Sequence, residues 1–419
     1  MLFDLLDLDR RVNKVAAALE RRRAAPSSAP LEEVAFDREV SSRATYQELG
    51  SLADDPLVRG VCAWVAHLTL ERVTSPDAVA VRAARLELGA VDATASVDEH
   101  VRRLLGSERD ARASAAELER VSARASDAHA RLAERRAEAA RLLGVADEPE
   151  PELAAKVLSA TRDAFDVIGP PGSWLQSVQR AIASDASEGW PAKLSVRWLH
   201  EQLSRGDLFK GVRLDAPRPP LPLGASSFAL ALHRLGAAWS WADRPEHTPL
   251  CLVRAPNDAL VARRAALLAS LVVEPTFHTR KLGLGRDRAN LQARAIGRAA
   301  VLWLRMAALG AAAHRLSRER ARATFEELSE EALGRPLPRA LLGVLPAPRR
   351  TGGLGLRAVL EALAERDSLR ARFDEDWFDN PRAHLELRHE HHQLVTARAV
   401  IPLESGLAAL DARLRELVV

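Results

Sequence analysis

Apolar residues recur every three or four positions along most of the chain, the spacing that places them on one face of an α-helix. Residues 2–23 show this clearly, with Leu6, Val12, Val15 and Leu19 at helical intervals. Several runs of β-branched residues with alternating polarity would indicate a sheet, and the sequence contains no such set. The pattern predicts an all-α fold.

Two prolines mark predicted helix starts, because proline is favoured at the first helical position, where its missing N–H costs nothing. Pro56 follows Asp55 and Pro76 follows Ser75, and both preceding residues are good N-caps. We expect the second of these helices to end at Gly89, since glycine commonly follows the last helical turn.

Aromatic residues divide the chain into two parts. No Phe, Trp or Tyr occurs between Val65 and Ala164, and seven of the eight Trp lie beyond that stretch. We therefore predict an N-terminal helical region over residues 1–164 and a compact, aromatic-cored, multi-helix body over residues 165–419.

The aromatic-free part contains a long stretch at residues 107–144 that is rich in Ala, Leu, Arg and Glu. Its apolar face is narrow, and a helix of that kind is stabilised by close packing against a second helix. The stretch therefore predicts an elongated helical hairpin or arm.

Composition and charge argue against a nucleic-acid partner. The chain has 419 residues, is 47% hydrophobic and carries a formal net charge of +3. Its basic residues are nearly all Arg, and they alternate with Asp and Glu. Such alternation is typical of solvated helix surfaces rather than of a basic stripe.

The two cysteines and the N-terminal segment indicate the compartment. Cys62 and Cys251 lie in apolar runs and are predicted to be buried thiols in a reducing environment. The acidic N-terminal segment lacks the features of a signal peptide, and no apolar run approaches the roughly 20 residues that span a bilayer. We expect a cytoplasmic protein that does not associate with a membrane.

The stretch RHEHHQ, residues 388–393, invites interpretation as a metal site. In the zinc motif HExxH, two His at positions i and i+4 share one helical face. Position i+4 from His389 is Gln393. His384 and His391 do share a face, but about 10 Å of helical rise separates them, which is too far for one zinc ion. We predict the polar end of a helix here, with no metal and no cofactor.

Other partial motifs also fall short of a catalytic constellation. Glu386-x-x-His389 has the spacing of a di-iron ligand pair, but the second copy that such a site needs is missing. GASSF has Phe228 where a nucleophile elbow requires glycine. Gly283 and Gly285 do not continue into a phosphate-binding motif. We therefore do not expect an enzyme.

One cluster of basic residues surrounds a glycine-containing turn. It consists of His278, Arg280, Lys281, Arg286 and Arg288. It admits two interpretations, an anion held at a helix N-terminus or an ordinary solvated loop.

The order of elements after residue 165, together with the closing segment FDEDWFDNPRAHLEL, resembles the thimet oligopeptidase and oligoendopeptidase F family of all-helical zinc peptidases. Those proteins carry HExGHAL on one helix. The resemblance places SSFALAL at that motif, so that Ser226 and Ser227 stand for the first His and the Glu. Leu230 stands for the second His.

The resemblance also covers the segments that follow. VRAPNDALVARRAALL takes the place of the family's Glu-bearing helix and offers Asn257 and Asp258 instead of that Glu. The segment at the place of the family's Tyr-rich region, residues 277–305, contains no Tyr. The resemblance thus implies a degenerate, non-catalytic relative that has lost its zinc ligands and its general base.

These observations lead to one principal hypothesis and two alternatives. The principal hypothesis is a non-catalytic helical protein that binds a peptide or protein partner in an interhelical cleft. The first alternative is a metal-dependent hydrolase or other enzyme whose site is assembled from dispersed His and Glu residues. The second is a helical scaffold with no ligand, in which SSFALAL belongs to an ordinary core helix. The predicted cleft residues are Ser226, Ser227, Leu230, His233, Arg254, Asn257, Asp258, His278, Arg280 and Arg286.

Overall fold

The computed structural model describes residues 4–24, 30–52, 54–91, 127–145, 152–168, 196–204, 208–214, 225–315, 318–334, 336–337, 339, 342 and 351–418. All regular secondary structure in these ranges is helical, which confirms the prediction of an all-α fold.

The helices are numbered here in chain order. The first group is α1 (Leu5–Ala24), α2 (Arg43–Gly50), α3 (Pro56–Val91), α4 (127–143), α5 (Leu153–Ala160), α6 (Arg162–Ile168) and α7 (Val196–Ser204). The second group is α8 (Ala225–Ala242), α9 (Leu250–Val253), α10 (Ala259–Ala269), α11 (Pro275–Arg280), α12 (Arg286–Arg315), α13 (Arg318–Leu333), α14 (Thr351–Phe373), α15 (Pro381–His392) and α16 (Leu403–Val418).

Helix α3 begins where the sequence predicts. Asp55 Oδ1 accepts the backbone N–H groups of Leu57 at 2.6 Å and Val58 at 3.3 Å, and Pro56 occupies the first helical position. The side chain therefore satisfies two N–H groups that have no partner inside the helix.

The predicted helix start at Pro76 is wrong. Pro76 lies inside α3, which continues without interruption to Val91, two residues beyond the predicted end. The expected cap, Ser75, instead accepts a hydrogen bond from Arg22 Nη1 of α1 at 2.9 Å. Thr74 and Asp77, on either side of Ser75 and Pro76, are both buried. A tertiary contact has therefore overridden a local stop signal.

The N-terminal helices share a core with α9. Leu8 and Val12 of α1 and Trp64 of α3 pack in one hydrophobic cluster with Leu250 and Cys251. The cluster brings residues from both predicted regions into contact. Cys251 is buried as predicted, whereas Cys62 is only half-buried, and both thiols are free.

The predicted arm at residues 107–144 is described only from residue 127 onwards. In that part, Ala139, Ala140 and Leu143 of α4 pack with Leu70 of α3. The first half of the predicted hairpin lies outside the described residues.

The body contains two large hydrophobic clusters that meet along α14. In the first, α12 packs with α5, α6, α13, α14 and α16. In the second, α8, α10, α14 and α15 surround Trp239, Trp377 and Phe378. The predicted boundary at residue 164 falls inside α6, and Ala164 and Phe165 on either side of it belong to the first cluster.

Helix α12 contains one segment, Arg286–Ala313, that is long and apolar enough to cross a membrane by length and composition. Of the most apolar 18-residue window in this segment, 61% is buried inside the protein. That is typical of the core helix of a soluble protein, and it fits the position of α12 in the first cluster.

Candidate functional site

Charged side chains converge inside the body where α8, α10, α14 and α15 meet. Most are buried or nearly so, which is uncommon for Arg, Asp and Glu unless they are paired. We call this group the ionic cluster, and it consists of Asp243, Arg254, Arg263, Arg264, Glu361, Glu365, Arg388, Glu390, His391 and His392.

Local sequence features place these side chains. Asp258 caps α10 by accepting the N–H of Leu260 at 3.0 Å, and the Ala- and Leu-rich helix then carries two adjacent arginines into the interior. Asn380 caps α15 by accepting the N–H of Arg382 at 2.9 Å. A methyl group at Gly236 of α8 would overlap the carbonyl oxygen of Arg264, so glycine permits the close approach of α8 and α10.

Arg264 is fully buried and lies at the centre of the cluster. Its two terminal nitrogens donate to Glu365 of α14 and Glu390 of α15. Its Nε donates to His391 Nε2 at 3.2 Å. The guanidinium therefore joins three helices through two carboxylates and one imidazole.

The neighbouring Arg263 completes the pairing of the same carboxylates. It contacts Glu390, and it lies 3.3 Å from Glu365 and 3.8 Å from Glu361. Burial alone would lower the pKa of Arg263, but the charges of Glu365 and Glu390 outweigh it and raise that pKa. Burial alone would raise the pKa of Glu390, but Arg264 and Arg263 hold it below its ordinary value.

The protonation of His391 follows from its partners. A guanidinium can only donate, so His391 Nε2 must accept from Arg264, and the ring proton is therefore on Nδ1. From there it is donated to Asp243 Oδ2 at 3.1 Å. Burial, which is complete for this ring, lowers the pKa of His391 to about 3. The imidazole is therefore neutral near pH 7, and it packs edge-on against Trp239 with ring centroids 4.4 Å apart.

Asp243, just after α8, ties that helix to α15. Its carboxylate accepts from His391, from His392 Nε2 at 3.0 Å and from Arg388 Nε at 3.1 Å and Nη2 at 3.2 Å. Burial favours the neutral acid, but these hydrogen bonds outweigh it and hold the pKa of Asp243 well below its ordinary value.

Arg254 donates hydrogen bonds to backbone carbonyl groups at the ends of several helices. It is fully buried, and it donates to the carbonyl oxygens of Ser240, of Asp243 at 2.8 Å, of Val253 at 2.6 Å and of His391 at 2.9 Å. These carbonyls lie at the C-terminal ends of α8, α9 and α15, where no further helical N–H is available. Desolvation by burial lowers the pKa of Arg254 to about 10.

The geometry of the cluster leaves its acid–base groups occupied. An Asp–His pair of this kind orients a catalytic histidine when the far imidazole nitrogen faces a nucleophile. Here Arg264 takes that nitrogen, and no hydroxyl or thiol of the described residues hydrogen-bonds His391. Glu365 and Glu390 are both paired with arginine. The cluster can hold helices together, but it presents no base to a substrate.

The stretch RHEHHQ forms the polar end of α15, and part of it is drawn into the core. His389 is exposed, whereas Glu390 and His391 belong to the ionic cluster. His384 is buried, and its Nε2 lies 2.8 Å from the carbonyl oxygen of Phe378. Across the described parts of the chain, no group of three or more His, Cys, Asp or Glu is placed to hold a metal ion.

Two of the predicted cleft residues on α8, Leu230 and His233, lie on its outer side. The other two, Ser226 and Ser227, are in the first turn, and their side chains lie outside the described part of the structure. Leu230 is 38% exposed, and His233 is also exposed. Ligand binding by this face stays a prediction.

The predicted residues after α8 separate into buried and exposed positions. Arg254 belongs to the ionic cluster, and Asp258 is buried and paired with Arg398 Nη1 at 2.7 Å. Asn257 is exposed. Arg398 lies in the loop between α15 and α16. The structure therefore joins Asp258 to that loop, by a contact that the sequence did not predict.

The basic cluster around the glycine turn is largely neutralised. His278 is fully buried, its Nε2 lies 2.7 Å from the carbonyl oxygen of Val272, and burial lowers its pKa. Arg280 pairs with Asp376 at 2.6 Å, and Lys281 pairs with Asp379 at 2.5 Å. Further basic residues lie exposed at the start of α12, among them Arg286.

The ionic cluster was not predicted, although the sequence contains one signal for it. The adjacent Arg263 and Arg264 interrupt an Ala- and Leu-rich helix, and buried arginines require hydrogen-bond acceptors, of which carboxylates also balance the charge. Glu361 and Glu365, one turn apart on α14, and Glu390 of α15 supply them. Which acids would pair with which arginines depends on packing between distant segments.

Comparisons with known proteins give one structural similarity. No family model matches the chain, and no curated protein matches it. The chain is similar to a solved structure described as "Structure of Pyrococcus furiosus Carboxypeptidase Apo-Mg", with 11% sequence identity and a TM-score of 0.48. The similarity covers 99% of this chain and 99% of that one. We draw no functional conclusion from it.

Proposed function

We propose that this chain is a non-catalytic helical protein, with the architecture of an all-helical peptidase, that binds a peptide or protein partner. The observation that carries the non-catalytic part is the position of the Arg264 guanidinium. It occupies the point at which Glu365, Glu390 and His391 converge.

Carboxylates and imidazoles make up the ligand sets of many catalytic zinc ions, although no group of three or more His, Cys, Asp or Glu among the described residues is placed to hold a metal ion. A zinc ion in such a set keeps an open position and activates a bound water molecule. A guanidinium supplies positive charge to the same donors, but it cannot bind water as a Lewis acid. Arg264 therefore satisfies Glu365, Glu390 and His391 without giving them a hydrolytic role.

Two features support partner binding. Ion pairs and the hydrogen bonds of Arg254 join α8, α10, α14 and α15, which favours a scaffold that presents the same surface to every partner molecule. The cluster also offers no free acid–base group, which favours binding over catalysis. The exposed side of α8, with Leu230 and His233, remains the proposed cleft wall. We retain the expected cytoplasmic location as part of this proposal.

The non-catalytic part can be tested on the purified full-length protein by elemental analysis and by a hydrolysis assay. We expect no stoichiometric zinc or iron, no cleavage of a mixture of fluorogenic peptides with or without added ZnCl₂, and no change in melting temperature on addition of a chelator. Zinc-dependent cleavage that Glu390→Gln abolishes would show that the chain is an enzyme.

Partner binding can be tested by selection from a random peptide library displayed on phage. We expect the selection to enrich related sequences, and the resynthesised peptides to bind the protein without being cleaved. If nothing is enriched above an immobilised control protein, the binding proposal is wrong and a helical scaffold without a ligand is the better description.

A further inference from the structure

The first half of α12 presents an arginine-rich surface to solvent. Arg286, Arg288, Arg294 and Arg298 are all exposed, and together they span about 18 Å at the usual helical rise. None of them forms an ion pair with any described residue. Arg288, Arg294 and Arg298 lie within about 120° of one another around the helix axis, and Arg286 precedes them in the first turn. We call these four residues the α12 arginine face.

This surface lacks the acidic neighbours that several exposed arginines of other helices have. Arg10 has Asp7 three positions away, and Arg197 has Glu201 four positions away. On the α12 arginine face, no position three or four residues from any of the four arginines is Asp or Glu. The alternation of basic with acidic residues in other parts of the sequence therefore does not extend to this segment.

The four charges also act unfavourably on one another and on the helix. Arg294 and Arg298 are one turn apart, a spacing at which like charges destabilise a helix. Arg286 and Arg288 lie in the first turn, where the helix dipole favours negative charge, and Asp287 is the one acidic residue between them. A bound anionic partner would relieve both effects.

An apolar side chain lies in the middle of the face. Leu291 is 70% exposed and is three positions from Arg288 and three positions from Arg294. A partner that covers the face must therefore supply negative charges on both sides of an apolar contact. An acidic peptide segment with one apolar side chain does so, whereas a nucleic-acid backbone offers phosphates without that apolar group.

We propose that the α12 arginine face binds an acidic, amphipathic peptide segment of a protein partner, with Leu291 as the apolar contact. The inference rests on the proposed function, because it assigns a surface and a chemical class to the partner. It assigns to α12 a contact surface for that partner in addition to the cleft wall proposed on α8. Neighbouring Arg280 and Lys281 do not extend the face, because Asp376 and Asp379 neutralise them.

The test compares two triple variants with the same change of charge. The first, Arg288→Gln with Arg294→Gln and Arg298→Gln, removes most of the face. The control removes three exposed arginines that have acidic neighbours: Arg10→Gln, Arg197→Gln and Arg415→Gln. Circular dichroism would verify that both variants keep the helical content of the parent protein.

The probe is a fluorescein-labelled helical peptide whose glutamates repeat every three or four positions around one leucine. Binding would be followed by fluorescence anisotropy at low ionic strength. We expect the first variant to bind about tenfold more weakly than the parent protein, and the control variant to bind within about twofold of it. We also expect added salt to weaken binding to the parent protein, since exposed charge pairs are screened.

Three results would overturn the inference. Equal losses in the two variants would indicate attraction to overall charge. Tighter binding of a single-stranded oligonucleotide than of the peptide, lost in the first variant, would assign the face to nucleic acid. If the peptides selected by phage display bind the first variant as tightly as they bind the parent protein, the α12 assignment is wrong while the proposed function stands.

Discussion

At the scale of single residues, the buried arginines of the body find their partners mainly in two ways. Arg263 and Arg264 pair with carboxylates, whereas Arg254 donates to backbone carbonyl oxygens at helix ends. Arg305 follows the second pattern, since it donates to the carbonyl oxygens of Leu158 at 2.9 Å and of Ala332 at 2.6 Å. A planar group with five donors suits both tasks.

Replacing Arg264 by methionine should strongly destabilise the protein. The change keeps much of the side-chain volume but leaves Glu365 and Glu390 with less compensation in a buried site, and breaking a buried ion pair on one side costs about 3–5 kcal/mol. Urea unfolding followed by circular dichroism would measure the loss.

The matched control for this measurement is Arg197→Met, at a position whose side chain is 87% exposed. It should change the free energy of unfolding by no more than about 0.5 kcal/mol. Equal stability of Arg264→Met and the parent protein would mean that the ionic cluster is not needed for folding.

At the scale of the elements, caps and tertiary contacts decide where helices begin and end. Asp55, Asp258 and Asn380 each accept a backbone N–H at a helix start, and all three are residue types that favour that position. The proline inside α3 is the exception, because contacts with α1 keep the helix intact across Pro76.

The continuity of α3 can be tested by replacing Pro76 with alanine. Alanine restores the missing N–H donor inside the helix and removes the clash of the proline ring, so we expect the free energy of unfolding to rise by about 1 kcal/mol or more. The greater freedom of alanine in the unfolded chain reduces the gain but does not cancel it.

Pro275→Ala is the corresponding control, because Pro275 occupies the first turn of α11, where proline is favoured. It should leave stability unchanged or lower it. A loss of stability in Pro76→Ala, similar to that in Pro275→Ala, would indicate that a new helix begins at Pro76, as the sequence alone suggests.

At the scale of the whole molecule, a few polar contacts connect the N-terminal helices to the body. Asp9 of α1 accepts the N–H groups of Leu250 at 3.1 Å and Cys251 at 2.8 Å, and so caps α9. Trp64 of α3 donates through Nε1 to the carbonyl oxygen of Arg254 at 2.7 Å. Through Arg254, the N-terminal helices therefore reach the ionic cluster itself.

The ionic cluster should make the stability of the whole molecule depend on pH. The pKa of His391 is depressed to about 3 in the folded protein, against about 6.5 in an unfolded chain. Between these two pH values the unfolded state binds a proton at His391 that the folded state does not bind. The contribution of neutral His391 to the free energy of unfolding is therefore present above about pH 6.5 and is lost as the pH falls towards 3. The lowered pKa values of Asp243 and Glu390 act in the same direction at lower pH.

Urea unfolding between about pH 7.5 and pH 5 would test this. In His391→Gln, unfolding should take up about one proton fewer below about pH 6. The free energy of unfolding should therefore fall with decreasing pH about 1.4 kcal/mol per pH unit less steeply than in the parent protein. His389→Gln, at an exposed position of the same helix, should keep the slope of the parent protein. An unchanged slope in His391→Gln would mean that His391 is not the group responsible.

The sequence by itself determined the features that depend on neighbours a few positions away. Helical periodicity, the cap at Asp55 and the polar end of α15 all follow from spacing within one or two turns. Apolar neighbours in the sequence also predicted the burial of Cys251, whereas Cys62, in a similar apolar run, is only half-buried.

Only the tertiary structure decided which charges are buried together and which remain exposed. Arg264 and His391 are 127 positions apart, so no local pattern could pair them. Basic residues that look alike in the sequence also have different surroundings, since Arg280 meets Asp376 whereas Arg286 meets no acidic residue among those described. The energy of a charge depends on its solvation and on its partners, and packing between distant helices sets both.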